Sequence, residues 1–272
     1  MHGIIYRYGQ EEAEGSKTLI VYLGGNSEPV FYKQSPELVL SNNDQPSHIK
    51  RVVGVGQEEA CDIIFPARLN YGKATSDGIW SSIYRMLRSL YNPRRVIEKD
   101  LQGLATMIKA SGHYARIEVL GFSMGGWQAL YLTNLLKSDE KRQVSSLTLI
   151  APLVNLKGLV QERAAIVGDF LSALLWWNID AIDLIQPSSY YTGDEKEKAL
   201  QVSIFLSDSD KIIPAEHSQV LAKALDTAGY KTKSYILQGA PHIKMLYITS
   251  AYIAGRVHAT PSEAEADFAS SS

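Results

Sequence analysis

Cysteine is almost missing: Cys61 stands alone among 272 residues, so no internal disulfide can form and no cysteine-rich metal site can be built. It opens an apolar, strand-like run and reads as a buried structural thiol, which fits a reducing compartment. An excess of charge of one sign is also lacking. The 27 Lys and Arg nearly balance the 29 Asp and Glu, and the cations are scattered, so no nucleic-acid partner is expected. No continuous apolar run reaches membrane-spanning length. Zinc-ligand spacing, an EF-hand-like loop and a phosphate loop are absent as well, so neither a metal nor another cofactor is expected. The first ten residues lack a basic segment followed by an apolar stretch. A cytoplasmic protein is therefore expected, with export by a route without a cleaved signal left open.

What is present is an alternation of short apolar runs with amphipathic stretches of helical period, the pattern of a mostly parallel sheet joined by crossover helices. The runs predict strands at 4–8, 18–23, 62–66, 116–120, 146–151, 202–206 and 233–237. Helices are predicted at 94–109, 124–136, 214–227 and 243–254. One α/β domain is expected over 1–259, followed by a poorly ordered tail rich in Ala, Ser and Glu at 260–272. Two segments interrupt the alternation. The polar stretch 27–60 is expected to wrap the sheet edge with a short strand near 38–40, and its Gly54-Val55-Gly56 reads as a simple turn. The stretch 152–198 is expected to be a helical lid insertion, because Ile166, Phe170, Leu174 and Trp177 fall on one helical stripe. An insertion there sits above the carboxyl ends of the strands, where open parallel sheets bind ligands.

The strongest local signal is Val119-Leu120-Gly121-Phe122-Ser123-Met124-Gly125-Gly126. A serine on a sharp strand-to-helix turn has a strained backbone, and side chains two positions away would collide with the crossing segment; glycine at both places removes the clash. Serine is a poor nucleophile at neutral pH and needs a base, itself held in one tautomer by a carboxylate. Both are on offer downstream. The loop after the strand at 202–206 carries Asp208 and Asp210, and the loop after the strand at 233–237 carries His242.

With this order of Ser, Asp and His, the chain resembles the α/β-hydrolases, and the resemblance runs through nearly all of it except the tail. Gly121-Phe122-Ser123-Met124-Gly125 matches the family's nucleophile elbow, which implies that Ser123 is the nucleophile. The family's acid commonly precedes an apolar pair and a proline, a form matched by Asp210-Lys211-Ile212-Ile213-Pro214; Asp208, nearer the strand, is the alternative acid or a turn residue. His2, His48 and His113 precede the serine, His217 lies in a predicted helix with an exposed side chain expected, and His258 is near the tail, which leaves His242 as the base. The family's histidine usually follows glycine, whereas Pro241 stands here and restricts the backbone entering the loop. The resemblance also implies an oxyanion hole from the backbone N–H of Met124 and of Asn26 or Gly25, since Gly24-Gly25-Asn26 stands where the family has its His-Gly-x loop. Arg68-Leu69-Asn70-Tyr71-Gly72 resembles the turn leaving the fourth core strand.

The expected function is that of a serine hydrolase acting on a carboxylic ester, in the manner of carboxylesterases and lipases. Thioesterase, peptidase and acyltransferase activity share the same three groups, and a non-catalytic binding protein on this scaffold is the alternative from another class. Phe170, Leu174, Trp176 and Trp177, with Leu175, Tyr190 and Tyr191, either roof a pocket for an apolar acyl chain or pack the insertion onto the core. The expected partner is a small-molecule or acyl-ester substrate. Membrane contact through the lid is not indicated, because Asp169, Asp180 and Asp183 oppose anionic lipid.

Overall fold

Five consecutive buried residues, Leu19 to Leu23, mark the centre of a sheet that is covered on both faces. The structure is a computed structural model that describes residues 2–6, 17–24, 61–67, 93–111, 114–136, 143–163, 179–187 and 200–246. Its strands are β1 (His2–Tyr6), β2 (Lys17–Leu23), β3 (Asp62–Ala67), β4 (Tyr114–Phe122), β5 (Gln143–Ile150), β6 (Gln201–Ser207) and β7 (Lys231–Leu237). Among the described residues the longer helices are α1 (Pro93–Ser111), α2 (Met124–Leu136), α3 (Leu156–Arg163) and α4 (Ala215–Thr227).

The strands form one sheet in the order β1-β3-β2-β4-β5-β6-β7. Six of them are parallel; β1 alone runs antiparallel, against β3. From β2 the chain moves outward to β3, but from β4 it moves the other way, to β5. Adjacent parallel strands whose connections leave in opposite directions open a crevice at their carboxyl ends, and that topological switch point lies between β2 and β4.

The helices cover the sheet for reasons visible in their residues. In α1, Leu101, Leu104, Ala105 and Ile108 are buried while Gln102, Thr106 and Met107 face solvent, and Pro93 suits the first turn because its φ is already helical. Each fully buried leucine or isoleucine of this stripe contributes about 1.5–3 kcal/mol. Helix α2 is different. It touches β2, β4, β5 and α1, and Gly125 through Leu130 are all buried.

The expected strands and helices are found with shifted ends. β1 lies at His2–Tyr6 rather than 4–8, and β4 continues through Gly121 and Phe122, so the strand leads straight into Ser123. The final predicted helix is described only at 242–246. Two described stretches of the 152–198 segment, 154–156 and 179–181, lie side by side. Leu156 N–H donates to Ile179 O (2.9 Å) and Ala181 N–H to Val154 O (2.7 Å). Asn155 joins them by donating to Asp180, while its own Oδ1 accepts from Gly158 N–H (2.8 Å) at the start of α3. The returning end is fixed further, by Asn134 Nδ2 donating to Leu184 O (2.7 Å) and Tyr230 O–H to Gln186 O (2.7 Å). His217 is not the exposed helical residue expected. Its side chain is 10% exposed, and its Nε2 lies 2.9 Å from Glu162 Oε2, joining α4 to α3.

Cys61 is buried as expected. No described helix is long and apolar enough to cross a membrane. The expectations for 27–60, Arg68 to Gly72, Phe170, Leu174 to Trp177, Tyr190, Tyr191 and the tail lie outside the described residues.

Candidate active site

Ser123 occupies the turn between β4 and α2 with φ 55°, a left-handed conformation that costs a non-glycine residue about 1–3 kcal/mol. Surrounding backbone holds it there. Ser123 N–H donates to Ile150 O (2.9 Å), and its carbonyl accepts from Gly126 N–H and Leu153 N–H (both 2.9 Å). The flanking glycines are required by close approach. A Cβ on Gly121 would lie 2.3 Å from Gly125 O, and one on Gly125 would lie 1.9 Å from Leu23 O. Gly126, for which the motif gave no role, is needed equally, since a Cβ there would meet Pro152 Cβ at 2.6 Å.

These contacts put the start of α2 directly against the end of β2, at the switch point. Met124 is the first residue of α2, so its N–H has no partner within the helix and points from the positive end of the helix dipole. Gly24 is the last described residue after β2, and Gly25 and Asn26 follow it in sequence. Those two residues lie outside the described residues.

The acid and base candidates come from neighbouring loops, after β6 and β7. Asp210 uses both carboxylate oxygens. Oδ1 accepts from Ile212 N–H (2.8 Å) and Ile213 N–H (2.9 Å), while Oδ2 lies 2.6 Å from His242 Nδ1. With the Asp210 side chain 1% exposed and that of His242 7% exposed, this pair is shielded from water. A carboxylate can only accept, so Nδ1 carries the proton and Nε2 of the neutral ring is left as the basic nitrogen. The imidazole also packs on Phe122, with ring centroids 4.8 Å apart, and so stands beside the residue that precedes Ser123. No sequence signal pointed to Phe122; its contact is purely tertiary.

Asp208 is not the partner of His242. Its Oδ1 accepts from Gly239 N–H (2.8 Å) and Ser209 Oγ–H (3.0 Å). The Gly239 N–H, and secondarily the Ser209 hydroxyl, hold this carboxyl below the ordinary carboxylate range. Pro241 is accommodated because the sharp bend falls earlier, at Gly239 with φ 67°, and because Pro241 precedes a helical turn: its carbonyl accepts from Met245 N–H (3.2 Å). Phe170, Leu174, Trp176 and Trp177 lie outside the described residues. Among the described residues no group of three or more His, Cys, Asp or Glu is arranged to hold a metal ion.

By sequence, no protein-family model and no curated protein matches the chain. Solved structures do. A Pyrococcus furiosus esterase superposes with TM-score 0.55 at 13% identity, covering 89% of this chain and 80% of that one. Est1E of Butyrivibrio proteoclasticus, with ferulic acid bound, gives 0.53 at 14% identity over 94% and 93%. A puromycin-hydrolysing peptidase of Mycobacterium tuberculosis gives 0.57 at 15% identity over 94% of this chain and 38% of that one. The strand order, the elbow at the switch point and these superpositions agree: the chain has the α/β-hydrolase fold.

Proposed function

We propose that this protein is a serine hydrolase that cleaves a carboxylic ester through Ser123, His242 and Asp210. The observation that carries the reading is the buried contact between Asp210 Oδ2 and His242 Nδ1, beside the elbow that presents Ser123. The fold shared with the Pyrococcus furiosus esterase supports it. In this reading His242 Nε2 takes the proton of Ser123 Oγ as the oxygen attacks the ester carbonyl, and Asp210 stabilises the imidazolium that forms. The Met124 N–H and an N–H of Gly25 or Asn26 hold the resulting oxyanion, each donor lowering the barrier by about 3–4 kcal/mol. The tetrahedral intermediate collapses by breaking the bond to the leaving alcohol, which takes the proton from His242. Water then repeats the sequence on the acyl-serine and releases the acid.

Amide cleavage is the second reading, favoured by the likeness to the peptidase, since the same groups would protonate a leaving amine. The first test is covalent. A fluorophosphonate probe should label the native protein and leave Ser123→Ala unlabelled. Absence of labelling on the native chain would point instead to a binding role on this scaffold.

The segment 152–198 is proposed to roof the site with Phe170, Leu174, Trp176 and Trp177. A series of aryl esters should then show kcat/KM rising with acyl chain length, by about 3- to 4-fold per methylene buried. A flat series would reject the apolar roof and leave the hydrolase reading standing.

A further inference from the structure

Asp208 is exposed, yet it makes a directed contact across the two loops that carry the acid and base candidates. The parallel β6–β7 ladder ends at the pair Ser207 and Leu237. Beyond it the strands enter separate turns, one leading to Asp210 and the other to His242. No main-chain pairing continues the register there, and a side chain takes its place: Asp208 Oδ1 accepts from Gly239 N–H (2.8 Å), three residues before His242. The Asp208 turn is itself fixed, because Ser209 N–H donates to Ser207 Oγ (3.1 Å) and Ser209 Oγ donates back to Asp208 (3.0 Å). Gly239, in the left-handed region at φ 67°, turns its N–H toward the carboxylate without steric cost.

We propose that Asp208 is a positioning residue for the base: by holding the 238–242 turn against the Asp210 loop, it sets the alignment of His242 with Asp210 and Ser123. The inference rests on the serine-hydrolase reading. An exposed hydrogen bond adds little to global stability, whereas displacement of a catalytic group by about 1 Å costs about a hundredfold in rate. The effect of Asp208 should therefore appear in turnover rather than in folding. Its carboxyl is held below the ordinary range by the Gly239 N–H, so the acceptor is ionised throughout the pH range in which a histidine base operates.

The test compares Asp208→Ala, Asp208→Asn and Ser209→Ala with the native full chain, using a short-chain aryl ester. Asp208→Ala should lower kcat by about 10- to 50-fold with KM changed less than about 2-fold, the signature of a group acting on the transition state. Asp208→Asn keeps an oxygen that accepts from Gly239 N–H and should recover kcat to within about 3-fold of native. Ser209→Ala removes one bond that fixes the Asp208 turn but leaves the Gly239 contact, and should lower kcat by less than Asp208→Ala does. Native kcat in Asp208→Ala, or equal losses in Ala and Asn, would overturn the proposal. Should Asp208→Ala not fold, Asp208→Ser replaces it, since its hydroxyl is one bond shorter than the carboxylate arm. If the native chain neither hydrolyses the ester nor takes up the fluorophosphonate, the hydrolase reading fails on its own. Alignment is then read from the far-downfield proton resonance of His242 Nδ1. Broadening in Asp208→Ala but not in Asp208→Asn supports the positioning role, and identical spectra overturn it.

Discussion

Replacing Ser123 or His242 by alanine is expected to lower kcat for an aryl ester by about a million-fold, and replacing both should lower it no further. In the proposed mechanism the two side chains act on one proton in one step, so losing either abolishes the transfer and the second loss finds nothing left to remove. Asp210→Asn should cost about ten-thousand-fold, or about 5.5 kcal/mol of barrier. The reason is geometric. Oδ1 of Asp210 is committed to Ile212 N–H and Ile213 N–H, so an asparagine keeps its oxygen there and turns its NH2 toward His242 Nδ1. The ring must then accept at Nδ1 and carry its proton on Nε2, where it cannot receive the serine proton. Single and double variants, compared by single-turnover kinetics, check this. Multiplying losses in Ser123→Ala/His242→Ala would show that the two groups act independently and would reject the shared relay.

The parts of this fold that could be read from residues alone are those where local pattern and tertiary environment agree. Leu19 to Leu23 and Ile117 to Phe122 form near-continuous apolar runs because both faces of the central strands are covered. β1 was displaced by one strand period because Ile4, Tyr6 and Tyr8 alternate equally well in either frame. Its ends are set by its antiparallel partner, which pairs His2 with Ala67 and Tyr6 with Ile63. At the site, the elbow was legible because glycine and serine chemistry is local. The choice between Asp208 and Asp210 was harder, since both lie on one loop. What separates them is three-dimensional: Asp210 faces His242 with two backbone N–H groups behind it, and Asp208 faces Gly239. Phe122 against His242 and His217 against Glu162 join residues far apart in the chain, and no periodicity encodes such pairs.

Gly125→Ala is expected to destabilise the protein by about 3 kcal/mol or more, the upper end of what overpacking costs, because backbone has to move. The added Cβ would stand 1.9 Å from Leu23 O and 2.8 Å from Gly24 O. Neither obstacle is the end of a flexible side chain. Leu23 is hydrogen-bonded into the middle of the sheet beside Gly121, so relief must come from α2 moving away from β2. That movement would shift the Met124 N–H relative to Gly24, and any folded fraction should lose turnover as well. Gly103→Ala is the matched control. Gly103 lies in α1 with nothing within 4 Å of its added Cβ, so the same chemical change should stabilise the helix by about 0.5–1 kcal/mol. Urea unfolding midpoints of the two variants should therefore move in opposite directions. A Gly125→Ala midpoint equal to that of the native chain would mean that the elbow does not press on β2, and the proposal that the Met124 N–H serves as an oxyanion donor at this switch point would fail with it.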